Sequence, residues 1–138
     1  MLHLDYHIHN VLLHHDRIAG IIDWENTLAG PPHMDLARTR AILRAAVLGD
    51  LVPVQQHETL AQFERGLVAG HARVIGDDPF PELSAAWGLA MTVEDLSRQM
   101  AKSGSPITRA LVERMAEERD GLIRALVTED APDRTSRI

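Results

Sequence analysis

His3-Leu4-Asp5-Tyr6-His7-Ile8-His9-Asn10 is the stretch whose reading decides the fold, and Val11-Leu12-Leu13 follows it at once. An acid two residues after a histidine, and an asparagine five residues after that acid, make a polar loop that runs straight into an apolar segment. Val11-Leu12-Leu13 and Ile18-Ala19-Gly20-Ile21-Ile22 flank the polar residues His14-His15-Asp16-Arg17. That pattern predicts a β-hairpin over residues 11–22 with a four-residue connection. Ile22-Asp23-Trp24-Glu25 lies where the hairpin returns, so the turn is expected to fold Asp23 back toward Asn10. Gly30-Pro31-Pro32 then breaks any regular element.

From there the chain reads as helix. Residues 34–48 are rich in Ala, Leu and Arg, and Gly49-Asp50 stops them. A second helix is expected over 53–75, with Pro53 in its first turn and Leu60, Phe63, Leu67 and Val74 on one side. A third is expected over 82–101, with Leu83, Trp87, Ala90 and Met91 as its inward stripe. The fourth is expected to open with Ser105 as N-cap and Pro106 in the first turn, turning Ile107, Leu111, Met115, Leu122 and Val127 inward. The whole is an α+β fold, mostly helical: one domain over residues 1–128, a helical bundle over 34–128, and a polar tail over 129–138. Two strands alone are marginal in water, so the hairpin must lie on the helices or pair with something else.

Composition narrows the function. With 138 residues, 45% of them hydrophobic and 25% charged, the chain has the make-up of a globular protein able to bury a core. A net charge of −6 without a basic block argues against nucleic acid as a partner. The chain has no cysteine, which excludes disulfides and thiol catalysis. No apolar run approaches the roughly 18 residues of a membrane span, and no signal peptide is evident, so a cytoplasmic location and no membrane partner are expected.

The polar motifs suit phosphoryl transfer. Magnesium prefers hard oxygen ligands, and the Asn10 amide with the Asp23 carboxylate offers two from separate segments. A further carboxylate must orient the attacking hydroxyl or accept its proton, and Asp5 is placed for that. The segment resembles the catalytic core of the aminoglycoside phosphotransferase and choline kinase-like family, a branch of the protein-kinase-like fold. That family carries H-G-D-x-H-x-x-N, then I-D-W/F-E/D, then G-D-P-x-x-D-L-A. This chain has His3 to Asn10, Ile22-Asp23-Trp24-Glu25, and Gly30-Pro31-Pro32-His33-Met34-Asp35-Leu36-Ala37, in the same order and spacing. Leu4 stands where the family has glycine, Ile8-His9 where it has Pro-Gly, and Pro31 where it has aspartate.

The resemblance, which covers residues 2–37, implies Asp5 as catalytic base, Asn10 and Asp23 as magnesium ligands, and His3 and Asp35 as supports of the catalytic loop. It implies Mg2+ and ATP (or GTP) as cofactors and a small-molecule hydroxyl, of aminoglycoside or amino-alcohol type, as acceptor. It also implies that residues 1–128 correspond to the C-terminal lobe only. The glycine-rich strands, the phosphate-gripping lysine and the adenine-holding hinge have no counterpart here. The fragment is therefore expected to be inactive alone, with the missing N-terminal lobe supplied elsewhere or the apolar hairpin driving self-association.

The alternative is a non-catalytic interaction or histidine metal-binding module derived from that fold. His3, His7 and His9, with His14 and His15 nearby, could supply imidazoles to zinc. Asp35 also reads as a first-turn acid complementing a helix dipole. Trp24 and Trp87 read as core residues. Arg38, Arg40 and Arg44 read as one solvated face, and Glu94, Asp95, Glu113, Glu117 and Glu118 as another, or as an acidic wall for a cationic acceptor.

Overall fold

The computed structural model describes residues 1–129; the expected tail beyond Glu129 lies outside the described residues. A short 3-10 turn, Ile8–Asn10, leads into β1 (Val11–His14), which pairs antiparallel with β2 (Arg17–Ile21). Helices α1 (Pro32–Leu48), α2 (His57–Ile75), α3 (Pro81–Met100) and α4 (Arg109–Glu129) follow. The fold is α+β and mostly helical, with the hairpin ahead of four helices. Among the described residues no helix is long and apolar enough to cross a membrane.

The hairpin connection is tighter than its polar residues suggest. His14 and Arg17 pair across the ladder, leaving only His15 and Asp16 in the turn, at φ 46° and 58°. Two consecutive left-handed residues make the two-residue turn whose twist matches the strands. Next to it the register slips: Leu12 faces Gly20 while Leu13 faces Ile18, so Ala19 bulges.

Helix starts differ from expectation where a proline decides them. α1 begins at Pro32 rather than Met34, because a proline at the first helical position gives up no hydrogen bond. Pro53 opens only the 3-10 turn Val54–Gln56, and α2 proper starts at His57. Ser105 does not cap α4. Its hydroxyl accepts the Ile107 N–H (3.1 Å), and the real cap is Thr108, which accepts from Leu111 (3.2 Å). A residue before proline is pushed out of helical geometry, so the chain enters extended and Ile107 turns into the core.

The core lies where α3 is sandwiched between α1 and α4. Ala41 and Ala45 of α1, Leu89, Val93 and Leu96 of α3, and Ile107, Leu111 and Met115 form it. The stripe expected on α3 is rotated: Leu83 is exposed, and Trp87, Ala90 and Met91 are only half-buried. Small residues decide the face instead. Ser84, Gly88 and Thr92 are buried at a spacing of four, and a Cβ on Gly88 would come within 2.6 Å of the Ala37 carbonyl. α1 and α3 therefore cross almost backbone to backbone. At the far end of α4, Val127 is exposed rather than inward.

Helix α2 is packed on one side only. Leu60 is buried, Phe63 and Leu67 are half-buried, and Val74 is exposed. Between α2 and the α1–α3 pair lies an open cleft of about 930 Å³, floored by Leu36, Leu60 and Leu89 and edged by His33, His57 and His71.

Two glycines test this packing. Gly88→Ala should cost about 1–3 kcal/mol, because the new methyl meets backbone that cannot yield. Gly66→Ala on the open side of α2 should instead stabilise by about 0.5–1 kcal/mol. Urea unfolding of both variants checks the contrast.

Candidate active site

The site is a loop of short polar side chains laid over the start of α1. Asp35, in the first turn of that helix, accepts the backbone N–H of His3 and of Leu4, both at 2.8 Å. A carboxylate in that turn also faces the positive end of α1. Leu4 sits at φ 64° and is 3% exposed, a conformation that leucine adopts only under constraint.

His3 is the pivot of the loop. Its Nδ1 accepts the Asp5 N–H (3.3 Å), which leaves Nε2 to donate to the Ile22 carbonyl (2.8 Å). The ring is 2% exposed and lies against Trp24, ring centres 4.6 Å apart. Trp24 is thus no core residue: it is 44% exposed, and its indole N–H donates to the Ile21 carbonyl (2.7 Å).

Asn10 closes the loop from the other end. Its amide nitrogen donates to the Asp5 carbonyl (2.9 Å) and lies 3.4 Å from one Asp5 carboxylate oxygen. The other carboxylate oxygen is 3.5 Å from His7 Nε2. Asn10's carbonyl accepts the Ile22 N–H (3.0 Å). Ile22 is therefore held on both sides, by Asn10 at its nitrogen and by His3 at its oxygen, and Asp23 comes directly after it. Asp23 is exposed and stands at φ 64°, turned out of the strand direction. A further bridge between Leu2 and Leu28 (N···O 2.7 and 3.3 Å) ties the two ends of the segment together.

The donor set suits magnesium better than zinc. Asn10 turns its NH2 group to Asp5, and its amide oxygen and the Asp23 carboxylate are hard oxygen donors, the type that magnesium prefers. Two protein oxygens are the usual share when phosphates and water complete the octahedron. Among the described residues no group of three or more His, Asp or Glu could hold a metal ion, and both His3 nitrogens are already engaged. The histidine array is not gathered into a ligand set.

The residue that sequence reasoning misplaced is Arg38. It is 5% exposed, not part of a solvated face, and donates from Nε to the Leu4 carbonyl (3.2 Å) and from Nη1 to Thr92 Oγ1 (2.5 Å). Its Nη2 pairs with Asp95. Burial pulls the guanidinium pKa down, opposed by the nearby Asp95 and Asp5. The signal lay in its spacing: three residues after Asp35, Arg38 shares the helix face under the loop. Of the acidic residues, Asp95 is paired with Arg38 and Arg98, and Glu118 with Arg44. Tyr6 leans the other way, stacked on Phe63 of α2 with ring centres 6.4 Å apart, and burial with the Asp35 charge raises its pKa. None of Asp5, Asn10 and Asp23 lines the large cleft behind α1.

A family model described as "Phosphotransferase enzyme family" matches residues 1–74, just over half the chain, including the loop, the hairpin and the first two helices except the last residue of α2. No curated protein and no solved structure matches.

Removing the Asp35 carboxylate strands two backbone donors beneath the loop. Asp35→Ala should lower unfolding free energy by about 2–4 kcal/mol in urea melts, whereas a change within about 0.5 kcal/mol would mean that the loop is held by something else.

Proposed function

The chain belongs to the phosphotransferase enzyme family, and from this we propose that it is the catalytic lobe of an enzyme moving the γ-phosphate of ATP (or GTP) to a small-molecule hydroxyl. The observation that supports this reading best is the shared bonding of Asn10 and His3 to Ile22, which sets Asp23 beside the Asp5 loop.

In this reading Asp5 receives the proton of the acceptor hydroxyl as that oxygen bonds to phosphorus, while the bridging oxygen leaves with the nucleoside diphosphate. Its carboxylate is already steadied by the Asn10 amide, so it needs little rearrangement to meet the hydroxyl in line. Asn10 and Asp23 would hold magnesium, which when bound neutralises charge on the phosphates. Asp35 and His3 keep the loop's backbone in place and touch no substrate. The acceptor class we favour is an aminoglycoside-like or amino-alcohol hydroxyl, carried over from the family resemblance.

Turnover also needs a nucleotide-binding lobe beyond the elements described, from further residues of the same polypeptide or from a partner. The hairpin offers it a seat: Leu12, Leu13 and Ile18 are 47%, 70% and 61% exposed. Without that lobe these exposed apolar side chains favour self-association. A cytoplasmic location completes the proposal.

Two substitutions separate the roles. Asp5→Asn should lower kcat by on the order of 10²- to 10⁴-fold while leaving Mg2+·ATP binding intact. Asp23→Asn should weaken Mg2+·ATP binding itself, read by calorimetric titration. Undiminished turnover in Asp5→Asn, with the nucleotide lobe present, contradicts the base assignment.

A further inference from the structure

The structure assigns Arg38 as a positioning residue for Asp5: from beneath the loop it pins the peptide plane that leads into the proposed base. The inference rests on the phosphotransferase reading of Asp5 and extends it to a residue buried out of reach of any substrate.

The peptide between Leu4 and Asp5 is held at both ends. Its carbonyl accepts from Arg38 Nε (3.2 Å), and its N–H donates to His3 Nδ1 (3.3 Å). Asp35 holds the two preceding amides but does not touch this plane. Leu4 at φ 64° pays for a left-handed conformation, and rotation of the next peptide is the cheapest way to relieve it. That rotation would swing the Asp5 Cα–Cβ bond and turn the carboxylate from its place beside Asn10. Arg38 opposes it, because losing the Leu4 carbonyl would leave a buried guanidinium donor unpaired.

Arg38 can do this because α3 anchors it. The Thr92 hydroxyl donates to the Gly88 carbonyl (2.8 Å), which frees its lone pair to accept from Nη1. Asp95 takes Nη2 and shares its other oxygen with Arg98. One planar fork thus joins the loop, α1 and α3 at three acceptors. A lysine, with a single ammonium on a flexible stem, cannot satisfy all three at once. The close crossing at Gly88 brings Thr92 within reach of Arg38, so the packing of α1 on α3 bears directly on Asp5.

The test compares Arg38→Lys, Arg38→Met and Asp95→Asn by amide hydrogen exchange resolved at Asp5, with global stability measured in parallel. Asp95→Asn loosens the tie to α3 but keeps the guanidinium on the Leu4 carbonyl. Both Arg38 variants should speed Asp5 exchange at least about tenfold beyond their global destabilisation, and Asp95→Asn should not. Equal acceleration in Arg38→Lys and Asp95→Asn, or none in Arg38→Lys, overturns the assignment and leaves Arg38 a plain helix-to-helix tie. Should Arg38→Met fail to fold, Arg38→Lys decides alone. The exchange readout needs no turnover, so it stands apart from any failure of the phosphotransferase reading. Where turnover is measured, Arg38→Lys should lower kcat with the nucleotide KM unchanged; a KM effect alone counts against the positioning role.

Discussion

One carboxylate under two backbone amides holds the rest of the site. Asp35 accepts from His3 and Leu4 at 2.8 Å each, and every later placement depends on that grip. It keeps Leu4 left-handed and buried, which points the His3 ring inward to meet Ile22 and hands Asp5 to the far side. Asn10 then closes the loop by donating to the Asp5 carbonyl, and its own carbonyl takes up the start of the Asp23 motif. Charged and neutral hydrogen bonds of this kind contribute only about 1–3 kcal/mol each. Their effect here is geometric: they hold Leu4 left-handed and fix the directions in which His3 and Asp5 leave the loop.

The fold was largely legible because its signals are local. Gly30-Pro31 and Gly49-Asp50 mark breaks that the chain does observe, although Pro32 already opens α1, and the aliphatic runs about His15 and Asp16 do pair. What the sequence concealed lies in residues that pattern reasoning undervalues. Small residues at 84, 88 and 92 carry the α1–α3 contact, while a scan for large apolar groups selects Leu83 and Trp87 instead. Ser105 and Pro106 read as a helix start, yet the need to bury Ile107 delays α4 to Arg109.

In the site, the order of polar residues along the chain was readable and their bonds were not. Nothing in the composition of α1 separates Arg38 from Arg40 and Arg44. Its spacing from Asp35 puts Arg38 on the face under the loop, and the packing of α3 then buries it, while Arg40 pairs with Glu64 at the surface and Arg44 with Glu118. Trp24 misled for the opposite reason: an aromatic usually signals core, but this one covers His3 from the solvent side. The half-packed α2, touching the loop through the Tyr6–Phe63 stack, is the element whose position sequence leaves most open.

We propose that Asn10 and Asp23, brought together through Ile22, form one divalent-cation site. Paramagnetic broadening by Mn2+, added with ATP to the isotopically labelled chain, tests it most directly. The account predicts that signals of Asn10, including its side-chain amide, and of Asp23 broaden first and together, and that excess Mg2+ restores them. Broadening that begins at His14 and His15 or on the acidic helix faces, with Asn10 and Asp23 left sharp, would contradict it.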